Sequence, residues 1–133
     1  MPIGPVRRDD ATAAFFDAAA DGALLLLRCP EGHWSQPDVR ACETCGRTEL
    51  TGAPAAGDAT LVSWTVTYGR AAEGEQPPRS VLAIGQLAEG PWWWAQLLDA
   101  DPATLRAGQA LTVVTERGEG DDVEAVPAFR VRS

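Results

Sequence analysis

Residues 81–114 read VLAIGQLAEGPWWWAQLLDADPATLRAGQALTVV, and the order of signals within them decides the fold. Two runs rich in β-branched and aromatic residues flank AEGP, a tight-hairpin signal, so Ser80 to Leu87 and Trp92 to Leu98 read as neighbouring antiparallel strands. The segment DADPATLRAG follows, with Asp and Pro set to cap one short helical turn, and a new apolar run then begins at Leu111. Strand, hairpin, strand, helical insertion and strand is the middle of a small barrel.

Working outward, TLVSWTVTY at Thr60 to Tyr68 alternates and supplies a first strand, joined to the next by the flexible RAAEGEQPPR. Downstream, Leu111 to Glu116 and Val123 to Val131 are further strands, with RGEGDD as the hairpin between them. Five strands with a short helical insertion before the fourth predict a closed barrel of the OB type over 60–133, in which closure removes the exposed edges.

Upstream the pattern changes. TGAPAAGDA at 51–59 is a run of small residues and reads as a linker marking a module boundary. Residues 29–50 are turn-rich and polar, with too few large apolar side chains to hold themselves together. Ala23 to Arg28 (ALLLLR) reads as a buried strand with no evident partner. Before it, Asp9 or Asp10 caps a short helix that starts at ATAA, carries Phe15 and Phe16, and stops at Gly22. The expected organisation is thus mostly β: a helix and lead-in strand (1–28), a Cys-bearing segment (29–50) and the barrel (60–133).

The staple for the middle segment is in its ligand spacing. Cys29-x3-His33 and Cys42-x2-Cys45 supply two donor pairs across a short loop, the set that tetrahedral zinc takes from three thiolates and one imidazole. Gly32 and Gly46 stand beside the pairs, where their backbone freedom lets N–H groups turn toward the sulfurs. Such a site is structural, because four protein ligands leave no position for a water nucleophile. The rival use of Cys42 and Cys45, a redox pair, requires a βαβ setting that is missing from this pattern.

Bulk composition narrows the function. A charge of −8 in 133 residues opposes binding to phosphate backbones, although aromatic residues on an OB surface can also stack bases. A hydrophobic fraction of 45% against 23% charged fits a folded domain, and the eleven basic residues are all Arg. The N-terminal residues contain no apolar run long enough for a secretory signal, and no stretch approaches membrane-spanning length, so a cytoplasmic protein is expected. Three Cys, two of them in a CxxC pair, agree with a reducing compartment.

For catalysis there is little material. The sequence has no G-x-S-x-G, P-loop or G-x-G-x-x-G, and His33, the only His, is already assigned to the ligand set. Glu119, Asp121 and Asp122 read as a solvated turn. Trp92 and Trp94 share one face of their strand and Trp93 the other, so one aromatic face must be covered by the chain or by a partner. Phe15, Phe16 and Trp93 are the candidate partner contacts. Arg70 and Arg79 flank the flexible loop, where they are candidates for binding phosphate groups.

Taken in order, AAFFDAAADGALLLLRC, the Cys pairs, TLVSWTVTYGR and the 81–114 segment resemble a known family across almost the whole chain. These are the zinc-ribbon plus OB-fold proteins catalogued as domain of unknown function number thirty-five. The family's G-x-L-x-x-x-x-C entry is matched by Gly22 through Cys29, its SWTV strand by Ser63 through Val66, and its D-x-x-x-L-x-x-G segment by Asp101 through Gly108. The second Cys of the family's first pair is missing, and His33 is the substitute ligand. The resemblance implies a rubredoxin-like zinc ribbon beside the OB barrel. It also implies a non-catalytic accessory subunit of a thiolase-superfamily enzyme acting on acyl-CoA, one that helps to form the substrate passage. In one branch the partner is a retro-aldolase cleaving a steroid side-chain β-hydroxyacyl-CoA. A stand-alone acyl-CoA-binding or acyl-transfer protein is the alternative, and an OB nucleic-acid binder the third.

Overall fold

In the computed structural model, residues 9–10, 12–118 and 123–132 are described. Helix α1 (Ala13–Ala20) follows a turn in which the Asp9 carboxylate accepts a 2.9 Å hydrogen bond from the Thr12 backbone N–H. Asp9 therefore closes the turn ahead of the helix, and Thr12 stands at the cap position. Residue 11, part of the expected first helical turn, lies outside the described residues. The helix ends at Gly22, whose φ of +89° is the left-handed stop that glycine adopts without a Cβ penalty.

Strand β1 (Leu25–Arg28) does have partners: β2 (Trp34–Ser35) on one side and β3 (Thr51–Pro54) on the other, both antiparallel. The expected linker at 51–59 is corrected here, since its first residues form a strand and its last begin another. Backbone pairing needs no large side chains, and at Gly52 a Cβ would stand 3.1 Å from Leu25 Cδ2, so a larger residue there would require Leu25 to shift.

The barrel is built from β4 (Asp58–Tyr68), β5 (Arg79–Leu87), β6 (Trp92–Leu97), β7 (Ala110–Arg117) and β8 (Ala125–Val131), closed in the order β4-β5-β6-β8-β7. This matches the five expected strands, each within about two residues of its expected ends. A 3-10 turn at Pro102–Thr104 precedes β7, with the Asp101 carboxylate accepting from the Ala103 N–H at 3.0 Å. A bulge between Leu61 and Ser63 bends β4 so that its start pairs with β7 while its length pairs with β5. The hairpin expected at 117–122 has residues 119–122, including the acidic turn, outside the described residues.

Period-two alternation sorts the barrel side chains. Leu61, Val81, Ala83, Leu87, Leu97, Leu111 and Phe129 are buried inside, and Leu24 and Leu26 from the β1 region join the same core. Phe129 occupies the centre. Its ring lies against Gly85, where a Cβ would come within 2.9 Å of Cζ, so glycine at that strand position is what leaves room for the ring.

Between β6 and β8 the pairing is parallel and reaches only Leu97 and Phe129. Part of this seam is closed from outside the barrel. Phe15 of α1 stands 5.9 Å from the Trp93 ring, and Gln36 Nε2 donates to the Trp92 carbonyl at 2.6 Å.

Candidate metal centre and barrel surface

The four expected ligands converge. Cys29, His33, Cys42 and Cys45 each offer one donor atom, and these atoms lie within 4.8 Å of one another. Two backbone turns put them there. In the first, leaving β1, Gly32 N–H donates to the Cys29 carbonyl at 2.9 Å and Cys29 N–H to the His33 carbonyl at 3.0 Å. The second repeats the arrangement, with Gly46 N–H to the Cys42 carbonyl at 2.9 Å and Cys42 N–H to the Arg47 carbonyl at 2.8 Å. Gly32 and Gly46 take φ of +87° and +77°, which is why glycine stands beside each pair.

The turns are also tied to each other and to the sheet. Arg47 meets Glu31 at 3.0 Å across the pair of turns, and the buried Ser35 of β2 accepts from the Glu43 N–H at 3.3 Å. An exposed ion pair of this kind contributes under about 1 kcal/mol, so it orients the turns without holding them.

The distances test the fit to a metal ion. Tetrahedral bonds of about 2.3 Å to sulfur and about 2.0 Å to nitrogen put two sulfurs ~3.8 Å apart and a sulfur and nitrogen ~3.5 Å apart. Cys45 and Cys29 Sγ are 3.8 Å apart, and Cys29 Sγ lies 3.4 Å from His33 Nδ1. These two edges match those of a closed four-ligand site, and the four donors could hold a metal ion.

Electrostatics agree. The Cys42 thiol is pushed down to about 6, chiefly by the Cys45 backbone N–H and then that of Thr44, which donates to the sulfur at 3.4 Å, against the opposing effect of burial. Cys45 also receives a backbone N–H, from Arg47, but burial and the neighbouring Cys42 and Cys29 sulfurs outweigh it and raise its thiol. Sulfurs brought this close resist ionising together unless a cation joins them.

The remaining expected site residues fall elsewhere. Phe16 is buried within this chain, and Phe15 and Trp93, both half-buried, pack on each other beside the barrel seam. Trp92 and Trp94, on the opposite face of β6, are 49% and 69% exposed. Sequence alternation identifies both faces but not which one the helix covers.

Arg70 and Arg79 are exposed at the two ends of the β4–β5 loop, whose base is pinned by Gly69 N–H donating to the Pro78 carbonyl at 2.7 Å. Arg79 lines a cleft of about 620 Å³ with Ser80, Gln96, Glu116, Arg117 and Arg130. Arg130 is engaged there by Asp99 and, at 3.2 Å, by Glu116; Asp99 first and Glu116 second hold its guanidinium still more firmly protonated. Sequence reasoning missed this pairing and the bond from Gln36 to the Trp92 carbonyl, because contacts across 31 and 56 residues leave no local signal.

A five-stranded closed barrel carrying a three-stranded sheet and a Cys3His cluster defines the class: an OB-fold protein with a Cys/His ribbon. Residues 52–116 match the family described as "ChsH2, C-terminal OB-fold domain". It is 29% identical over 94 residues to a DUF35 domain-containing scaffold protein of Pyrococcus furiosus, across 71% of this chain and 69% of that one. A solved structure of an Ltp2-ChsH2(DUF35) aldolase aligns with a TM-score of 0.75 at 23% identity, covering 93% of this chain and 96% of that chain; a likeness at this identity concerns the fold.

Proposed function

We propose that the chain is a non-catalytic accessory subunit that docks beside a thiolase-superfamily enzyme acting on acyl-CoA and helps to form its substrate passage. The observation that carries this reading is the likeness, over 93% of this chain and 96% of the other, to a chain from an Ltp2-ChsH2(DUF35) aldolase. A scaffold protein among its relatives supports the same role. On this reading the partner supplies catalysis, and the finer assignment is a retro-aldolase acting on a steroid side-chain β-hydroxyacyl-CoA.

The chain's own chemistry fits an accessory role. Its only His has Nδ1 3.4 Å from a cysteine sulfur within the ligand cluster, which removes it as a general base for a Ser or Cys nucleophile. When bound, zinc would clamp the two turns as a structural ion. Cys29, His33, Cys42 and Cys45 hold it, and the backbone N–H groups of Thr44 and the neighbouring turn support the sulfurs. Three thiols kept reduced for this purpose fit a cytoplasmic setting. No helix among the described residues is long and apolar enough to cross a membrane. Arg70 and Arg79 are assigned to the CoA phosphates at the edge of the passage, where a few local cations suffice on a chain of charge −8.

The test is turnover by the isolated polypeptide. Incubated with acyl-CoA and β-hydroxyacyl-CoA thioesters, it is expected to release neither free CoA thiol nor a cleaved aldehyde or ketone above the buffer rate. Turnover abolished by a single substitution in this chain would make it an enzyme and overturn the accessory reading.

A further inference from the structure

The two ligand turns differ in length. In the second, the Gly46 N–H reaches back four residues to the Cys42 carbonyl, and the Arg47 carbonyl closes the turn on the Cys42 N–H, five residues back. In the first, the Gly32 N–H reaches back three residues to the Cys29 carbonyl, and the His33 carbonyl closes on the Cys29 N–H, four residues back. Aligned on Gly32 and Gly46, which share the left-handed backbone, the turns pair His33 with Arg47 and leave Cys45 without a counterpart. The first turn is thus one residue short, and what it lacks is the position that carries the second thiol.

Arg47, at the closing position of the second turn, sends its side chain across to Glu31 at 3.0 Å. His33, at the closing position of the first, brings Nδ1 to 3.4 Å from Cys29 Sγ. That sulfur lies in turn 3.8 Å from Cys45 Sγ, so the cluster that the ring enters is sized for short side chains. A thiol sulfur is a γ atom. Nδ1, one bond further out, comes nearest to its reach, whereas Nε2 on the far side of the ring overshoots a centre placed for γ atoms. The 3.4 Å separation also fits the ~3.5 Å edge between a sulfur and a nitrogen bound to one tetrahedral ion.

We propose that His33 compensates for the missing turn residue by ligating the metal ion through Nδ1, with the ring hydrogen held on Nε2. The assignment rests on the four-ligand site described above and is independent of the accessory role. Because the two ring nitrogens are chemically distinct, it fixes the tautomer of the only His in the chain. Nε2–H is then the hydrogen-bond donor of a neutral, half-buried imidazole.

The test uses the whole chain, with isotope-labelled histidine and a spin-active cadmium isotope as the probe in place of zinc. Scalar coupling passes through the metal–nitrogen bond, so NMR reads the bound atom directly. Coupling is expected at Nδ1, with the hydrogen on Nε2. Coupling at Nε2 overturns the assignment of the atom. Bound cadmium without coupling to either nitrogen overturns His33 as a ligand and reduces its contact with Cys29 to a thiol hydrogen bond. A chain that takes up no cadmium overturns the four-ligand site as well. Competition for zinc with a chelator tests the shortened turn separately: His33→Ala should weaken retention at least about tenfold, and a cysteine inserted between Glu31 and Gly32 of that variant should restore it. If the insertion does not restore zinc in a chain whose barrel keeps its circular dichroism, the shortened turn is not the origin of this ligand.

Discussion

Removal of the metal by chelation, or its exclusion by Cys42→Ser, is expected to unfold residues 29–50 while the barrel keeps its hydrogen bonds. Apart from two buried cysteines, these residues are held through β2, with Ser35 buried, Trp34 against the core and Gln36 bonded to Trp92, and by one exposed ion pair, which leaves the second turn with little apolar packing of its own. Structural zinc in small domains supplies on the order of 10–16 kcal/mol of binding free energy, far more than an ion pair of under ~1 kcal/mol. Amide hydrogen exchange reads the result: protection at the Gly32, Cys42 and Gly46 N–H groups should vanish in the variant, while that of β5 and β7 persists. Metal analysis should give about one equivalent for wild type and below ~0.2 for Cys42→Ser. Unchanged protection in both turns would mean that the protein alone builds the site.

The second large effect is at the barrel centre. Phe129→Ala removes a fully buried ring from a strand joined to both β6 and β7, and it should cost about 3–5 kcal/mol. Equilibrium unfolding in urea should show a lower midpoint at an unchanged slope. The converse, Gly85→Val, forces side-chain atoms toward the same ring and should cost ~1–3 kcal/mol through strain. If Phe129→Ala is nearly neutral, the ring does not organise the core.

The barrel was legible in the sequence because its signals are local. Alternation in TLVSWTVTY, the AEGP turn and the Asp-Pro cap each depend on neighbours a few residues apart, and the structure realises all three. The ligand cluster was legible for the same reason, since donor spacing within each turn is a local property. Strand β3 was not: Gly52 and Ala53 pair with Leu27 and Leu26, 25 and 27 residues away, and small side chains give no periodicity to read. The aromatic residues divide likewise. Alternation separates Trp93 from Trp92 and Trp94, but the packing of Phe15 on Trp93 depends on where α1 returns to the barrel, which is set by tertiary contacts alone. Of the two large apolar side chains of this short helix, Phe16 is buried within the chain and Phe15 is half-buried against Trp93.

The most direct test of the accessory role is the mass of the assembly in which this chain is recovered. Tagged protein purified from native extract at low and at high salt, then examined intact by native mass spectrometry, should appear in a fixed ratio with a thiolase-like polypeptide at both ionic strengths. A clean monomer at either salt concentration, with no companion polypeptide, would contradict the account and leave an independent ligand-binding protein in its place.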